Sequence, residues 1–302
     1  MKNGLELGIL KSILKMKQNR LQVFVTKTLN RYYDSVISEE YYVYAEGNIP
    51  IALVAHLDTI HPVPVIDIYH DKENDVLWSP QGLGADDRAG VYAILSIIND
   101  GFRPHIIFTR DEELGGIGAF KLASKKCPFK ELKYIIELDR KGTNDCVFYD
   151  LDNPKFVKYI EKFGFKQSWG SFSDISYLAP EWQVCAVNLS IGYFDEHSQA
   201  ERLYLSKMAD TIKKVEIMLS EDEIPKFEYI DRRARVSRDW CDKCQKPFAE
   251  FELFPVINGT KKELYCSDCV IDGVEWCTQC GTLFKATYKK KTMCPRCEGK
   301  SI

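Results

Sequence analysis

Four short apolar runs punctuate the first 230 residues: IALVAHLDT (51–59), HIIFTRDEE (105–113), YIIELDR (134–140) and VCAVNLSIG (184–192). Each is continuous rather than alternating, the pattern of a strand buried on both faces of a parallel sheet. Between and after them lie segments with apolar residues three and four apart: ADDRAGVYAILSIIND, GIGAFKLASKK, PKFVKYIEKF and HSQAERLYLSKMADTIKKVEIML. Strands alternating with helices need right-handed crossovers, which predicts an α/β fold, a doubly wound and mostly parallel sheet with helices on both faces. Residues 5–30 carry the same helical spacing and predict one amphipathic packing helix ahead of the sheet.

The alternation stops near residue 220. SEDEIPKFEYIDRRARVSRDW (220–240) mixes charges around Pro225 with little periodicity, which predicts a linker over 226–239 between a large domain at 1–225 and a tail at 240–302. The cysteines follow the same division. Cys127, Cys146 and Cys185 are scattered, whereas the other eight form four C-x-x-C pairs: Cys241/Cys244, Cys266/Cys269, Cys277/Cys280 and Cys294/Cys297. Each pair fits a zinc knuckle, and four pairs supply two closed four-cysteine sites. Pairing them in sequence order makes two zinc ribbons; a cross-brace is the alternative. A redox role for C-x-x-C leaves the number four unexplained. So short a tail buries little apolar area, so metal binding supplies its folding energy.

With 41 basic and 44 acidic residues the net charge is -3, no global reason to expect nucleic acid or an anionic membrane. The N-terminal stretch alternates Lys with apolar residues and lacks the uninterrupted apolar core of a secretory signal. No apolar stretch approaches the ~20 residues of a membrane span. Thiolate metal sites suit a reducing compartment, so the expected location is the cytoplasm. Arg232, Arg233, Arg235, Arg238 and Lys289-Lys290-Lys291, with Trp240, Trp276 and Tyr288 for stacking, are what a nucleic acid would use. The balanced charge of the tail favours a protein partner, substrate gating or self-association instead. Gly299-Lys300-Ser301 lacks the strand and first glycine of a phosphate loop, and neither G-x-S-x-G nor H-E-x-x-H occurs.

Open α/β sheets bind ligands beyond the C-terminal ends of their strands. His56 and Asp58 close the first run, Asp86 and Asp87 lie in GLGADDRAG, Glu112 and Glu113 close the second run, Asp139 closes the third, and His197 follows LSIGYFDE. Singly, each has a plainer reading. A strand-end His is commonly structural, Asp139-Arg140 makes a local ion pair, Asp86-Asp87 caps a helix, and an acidic triplet is a solvated turn. Their coincidence at one sheet edge points to a divalent ion with mixed nitrogen and oxygen ligands.

Taken together, H-x-D-T after a strand, G-A-D-D-x-A-G opening a helix, D-E-E-x-G-G, a strand-terminal Asp and a late G-Y-x-x-x-H-S-x-x-E resemble the co-catalytic zinc exopeptidases. That superfamily includes peptidase T, the carboxypeptidase G type enzymes and compact di-zinc aminopeptidases, and the resemblance spans residues 5–220. It implies that Asp86 bridges two zinc ions, that His56 and Asp139 complete one and Glu113 and His197 the other, and that the Asp86-Asp87 peptide is cis. Asp58 would orient the His56 ring. Glu112 would take a proton from the bridging water and deliver it to the leaving amine. The lidded branch inserts a second domain between the strand-terminal Asp and the last His. Here only residues 140–196, 57 positions, separate Asp139 from His197, which implies a lidless catalytic domain. Ser173-Asp174 stands where the compact aminopeptidases carry an S-D motif, so Asp174 shapes the pocket or caps a helix. The implied activity is zinc-dependent hydrolysis at the N-terminus of short peptides, with two catalytic and two structural zincs. The alternatives are an amidohydrolase or deacylase with the same centre, and a zinc-ribbon interaction protein on an inactive hydrolase scaffold. The last is disfavoured because no ligand, nor Glu112, is missing.

Overall fold

The four apolar runs pair side by side at the centre of an eight-stranded sheet. The computed structural model describes residues 6–232, 238–249, 252–259, 261–271, 273–286 and 292–298. It divides into Met1–Ile230 and Asp231–Ile302. In the first unit the strands are β1 (Val36–Ser38), β2 (Tyr42–Ala45), β3 (Ile49–His56), β4 (Tyr69–Asp71), β5 (Val76–Trp78) and β6 (Pro104–Thr109). After these come β7 (Tyr134–Arg140), β8 (Asp145–Val147), β9 (Lys166–Gln167), β10 (Cys185–Ser190), β11 (Tyr193–Phe194) and β12 (Arg202–Tyr204). Its helices are α1 (Leu7–Leu14), α2 (Gln18–Leu29), α3 (Ala85–Asn99), α4 (Ile117–Ala123), α5 (Pro154–Glu161), α6 (Ile175–Trp182) and α7 (Leu205–Leu219).

The sheet order is β1-β2-β6-β3-β7-β10-β8-β9. Its central strands β6, β3, β7 and β10 are parallel, while β2 and β8 join them antiparallel. The burial pattern follows from side chains alternating across a strand. Along β3, Ile51, Leu53 and Ala55 enter one core with α1, α2, α3, α5 and α7, while Ala52 and Val54 enter a second with α4 and α6. Phe108 against Ile107 in β6, and Ile136 against Ile135 in β7, divide the same way. Full burial of Phe108 or Phe156 contributes about 1.5–3 kcal/mol each. Two covered faces explain why the central strands read as unbroken apolar runs.

Two expectations need correction. The single helix over 5–30 is two helices, because the Arg88 guanidinium takes the carbonyls of Ile13 and Met16 and Lys17 turns extended at the start of α2. The long helix from His197 starts only at Leu205. Arg202–Tyr204 instead form β12, which pairs with β5 in a small sheet of order β11-β12-β5-β4. At the end of the first unit, Phe227 packs on its core and the Glu228 carbonyl accepts from Asn153.

The second unit has a hairpin of β13 (Arg238–Trp240) and β14 (Pro247–Ala249). A four-stranded sheet follows, made of β15 (Leu253–Asn258), β16 (Lys261–Cys266), β17 (Val274–Trp276) and β18 (Leu283–Lys285), in the order β16-β15-β18-β17. Arg233, Arg235, Tyr288, Lys289, Lys290, Lys291 and Gly299-Lys300-Ser301 lie outside the described residues. No helix among the described residues is long and apolar enough to cross a membrane.

Candidate metal centres

The C-terminal edge of the central strands gathers every residue expected there. His56 ends β3 with its ring 1% exposed, its Nε2 3.1 Å from Asp86 Oδ1 and 3.5 Å from Asp139 Oδ1. Its Nδ1 faces Asp58 Oδ1 at 3.3 Å. The same Asp58 carboxylate accepts the backbone N–H groups of Glu112 (3.1 Å) and Glu113 (3.0 Å), so it ties the ends of β3 and β6 together. On the other side, His197 Nε2 lies 3.2 Å from Asp86 Oδ2 and 3.0 Å from Glu113 Oε2. Asp86 thus turns one oxygen toward each histidine.

Two donor triads result, His56/Asp86/Asp139 and Asp86/Glu113/His197, with Asp86 in both; His56, Glu112 and Glu113 form an overlapping third. Ligands about 2.0–2.2 Å from a tetrahedral ion lie about 3.3–3.6 Å apart, close to the spacings here. Asp58, Asp86, Asp87, Glu112, Glu113 and Asp139 also outnumber His56 and His197, a surplus of acid that a buried edge accommodates by protonation or with cations. The residues fit two divalent ions.

Backbone geometry sets these positions. The Asp86-Asp87 peptide is cis, as the resemblance implied. Asp87 is fully buried; its carboxylate accepts from Gly90 N (3.0 Å) and His56 N (3.3 Å), locking the start of α3 to the end of β3. A Cβ at Gly90 would stand 2.3 Å from the Leu138 carbonyl, so only glycine lets α3 come this close to β7. His197 adopts φ of 61°, in the left-handed region. Asp111 does likewise at 58°, and its carboxylate accepts from Gln18 Nε2 at 2.8 Å.

The protein's own charges separate the acids. Burial opposes ionisation of Asp86, yet hydrogen bonds from His197 and His56 hold its carboxyl well below the usual range. Burial pushes Glu112 up to about 7, with the charges of Glu113 and Asp86 adding to it. Burial, then Asp86, raises Asp139 and Glu113. His197 rises to about 9 through its hydrogen bond to Asp86. Acids and histidines raised in this way stabilise the fold below their unfolded pKa values and lose that contribution as pH rises through the folded ones. Stripped of metal, the chain should therefore melt at progressively lower temperature from pH 5 to pH 8. Zinc should offset the loss, because it favours ionised carboxylates. Calorimetric scans with and without zinc check this; a metal-free melting temperature that climbs over that range contradicts it.

Sequence reasoning passed over three supporting residues. Glu201, fully buried, accepts from Gly84 N (2.6 Å) and Asp86 N (2.9 Å) and faces His61 at 3.2 Å, so it holds the loop that presents Asp86. It is the last letter of H-S-x-x-E, the one signal that could have found it. Tyr193 donates to Asp139 Oδ1 (3.1 Å), and Asn188 Oδ1 accepts from Asp139 N (3.0 Å). Asp174 makes no cap hydrogen bond to α6; fully buried, it accepts from the Thr109 hydroxyl behind the site. Burial, then the charge of Glu112, brings it up to about 7.

In the second unit the cysteines gather in sequence order, Cys241/Cys244/Cys266/Cys269 and Cys277/Cys280/Cys294/Cys297, and the cross-brace does not occur. Cys244 and Cys266 sulfurs are 3.9 Å apart, Cys280 and Cys294 sulfurs 3.7 Å. Zn–S bonds of about 2.3 Å require a tetrahedral edge of about 3.8 Å. Backbone N–H groups, that of Cys294 foremost, draw the Cys277 thiol down to about 6. The Cys241 thiol also falls to about 6: burial opposes this, but N–H groups of Cys244, Cys266 and Lys243 outweigh it.

No sequence-family model and no curated protein matches the chain. Solved structures do match its fold. The aminopeptidase PepT of Bacillus cereus aligns over 69% of this chain and 95% of its own at 13% identity, with a TM-score of 0.55. A TET aminopeptidase from a Thaumarchaeota archaeon covers 72% and 97% at 13% identity and 0.57. The TET1 peptidase of Pyrococcus horikoshii, which assembles into a tetrahedron or an octahedral shell, covers 71% and 99% at 15% identity and 0.55. The first unit shares the fold of these peptidases.

Proposed function

We propose that the first unit is a cytoplasmic zinc aminopeptidase that removes residues from the N-terminus of short peptides. The observation that carries this reading is the pair of triads sharing Asp86, with Glu112 beside them and outside both. The peptidases of the same fold support a peptide substrate. His56, Asp86 and Asp139 would hold one zinc, and Asp86, Glu113 and His197 the other. Two such ions supply polarisation of the scissile carbonyl and acidification of the attacking water. Asp58 keeps the His56 ring oriented and, through two N–H groups, fixes Glu112 and Glu113 relative to it. Glu112 takes the water's proton and passes it to the leaving amine. The tail holds two structural zincs and, by the same reading, contacts a protein partner or a second copy of the chain.

The test is a hydrolysis panel of amino-acid amides, free dipeptides and tripeptides, and N-acyl amino acids with the zinc-loaded protein. Substrates with a free N-terminus should be cleaved and N-acyl amino acids left intact. Preference for the N-acyl compounds would instead identify a deacylase. Bound zinc should approach four per chain, and a value near two removes one pair of sites.

A further inference from the structure

Beside the metal centre, on the Asp58 side of His56, lies a cavity of about 400 Å³ between the start of α2 and the loops after β3 and before α3. Three cations line it, Lys17, Arg88 and Arg110, and none has a carboxylate within 4 Å among the described residues. Arg88 is only 3% exposed, yet it donates to the Leu57, Ile13 and Met16 carbonyls. Arg110 gives its two terminal nitrogens to the side-chain oxygens of Gln22 and Gln18, and its Nε is buried with no partner. Neutral oxygens orient both guanidinium groups, and Arg88 also lies in the field of Asp58, Asp87 and Glu201, which leaves Lys17 and Arg110 as the cations without an acid close by. Asp58 is the only acid among the lining residues, and its oxygens are committed to His56, Glu112 and Glu113. The cavity's apolar lining comes from Pro62, Val63, Pro64 and Val65, with Leu14 and Leu83 behind them.

We infer that this cavity binds an organic carboxylate carried on an apolar body. Lys17, with the N–H groups of Arg110 that its two glutamines leave free, recognises the anion, and the apolar lining takes the hydrocarbon. Two sources share that chemistry: the C-terminal residue of a short peptide already in the active site, or a separate small acid. Binding does not depend on the peptidase reading; only the assignment of source does.

The probe is 4-methylpentanoate, which has the carboxylate and a branched apolar chain but no amine. Calorimetric titration of the zinc-loaded protein should show a site that weakens at least about tenfold in Lys17→Gln/Arg110→Gln, the loss of charged hydrogen bonds. Carboxylates that bind at zinc do so equally in both proteins and cancel in the comparison. Lys17→Gln alone, at an exposed position, should show part of the loss and guards against misfolding of the double variant. Equal binding by wild type and both variants overturns the inference. Kinetics then name the source. If amidating the C-terminus of a tripeptide raises KM in wild type but not in the double variant, the anion is the substrate's own. If amidation changes nothing and 4-methylpentanoate acts non-competitively on leucine amide, it is a separate effector. If no peptide is cleaved but the probe distinguishes the variants, the peptidase reading fails and the cavity assignment stands.

Discussion

Glu112→Gln should lower kcat by about 10²- to 10⁴-fold, the range for loss of a positioned general acid and base, while zinc content stays at the wild-type value. Gln keeps the shape and the backbone N–H bonded to Asp58, but it cannot accept a proton. The two triads sharing Asp86 do not include Glu112, whose Oε2 stands 4.0 Å from His56 Nε2. Its carboxyl is pushed up to about 7 chiefly by burial, the environment of a group that must both take and return a proton near neutrality. Bound dications favour the ionised form, so the acid limb of the kcat profile should fall below pH 7 and vanish in the variant. Glu113→Gln offers the contrast. A member of the second triad, it should lose metal along with activity. Metal analysis beside initial rates separates the two, and a Glu112→Gln enzyme within threefold of wild type rules out the assigned role.

Serine at Cys277 and Cys294 together should remove one zinc per chain and unfold the second thiolate site. Among the described residues, Ile257, Phe284, Met293 and cysteines of the site make up the apolar cluster there. Burying Ile257 and Phe284 contributes about 1.5–3 kcal/mol each, against an apparent 10–16 kcal/mol for a structural zinc at neutral pH. Metal is the larger stabilising term by far. The Cys241 site loses Leu283 of β18 but keeps Leu253, Val256 and Tyr265 and the β15-β16 pairing, and should keep its zinc. The first unit has separate cores and should melt as in wild type. Zinc content falling from four to three, with new protease cleavage confined to residues 273–298, is the expected result. Unchanged zinc content with a protease-resistant tail would exclude a metal-held site.

Legibility in the sequence tracked how locally each feature is encoded. The central strands were readable because a strand covered on both faces must be apolar throughout, and Ile51–Ala55 and Ile106–Phe108 are. The edge strands β1 and β9 were not, since two or three largely exposed residues carry no pattern, and β8, though buried at Cys146 and Val147, is too short at three residues to show one. Residues 197–204 passed for helix because they run straight into the helical spacing of Leu205, Met208, Ile212 and Val215, and the short strand ahead of it depended on β5, more than a hundred residues earlier.

What the sequence determined alone was the set of ligand types and the edge that presents them. His56 and Asp139 lie at strand ends and Glu113 four residues past one, and C-x-x-C is a turn complete in itself. Tertiary structure decided the partnerships. Asp86 meets both histidines only because Asp87 ties α3 to β3 and Glu201, from 115 residues away, grips the loop in between. It also decided that Arg88 breaks the first helix and leaves a cationic cavity behind Asp58. Hydrogen bonds and charge pairing depend on distance in space, and chain order carries that only for neighbours a few residues apart.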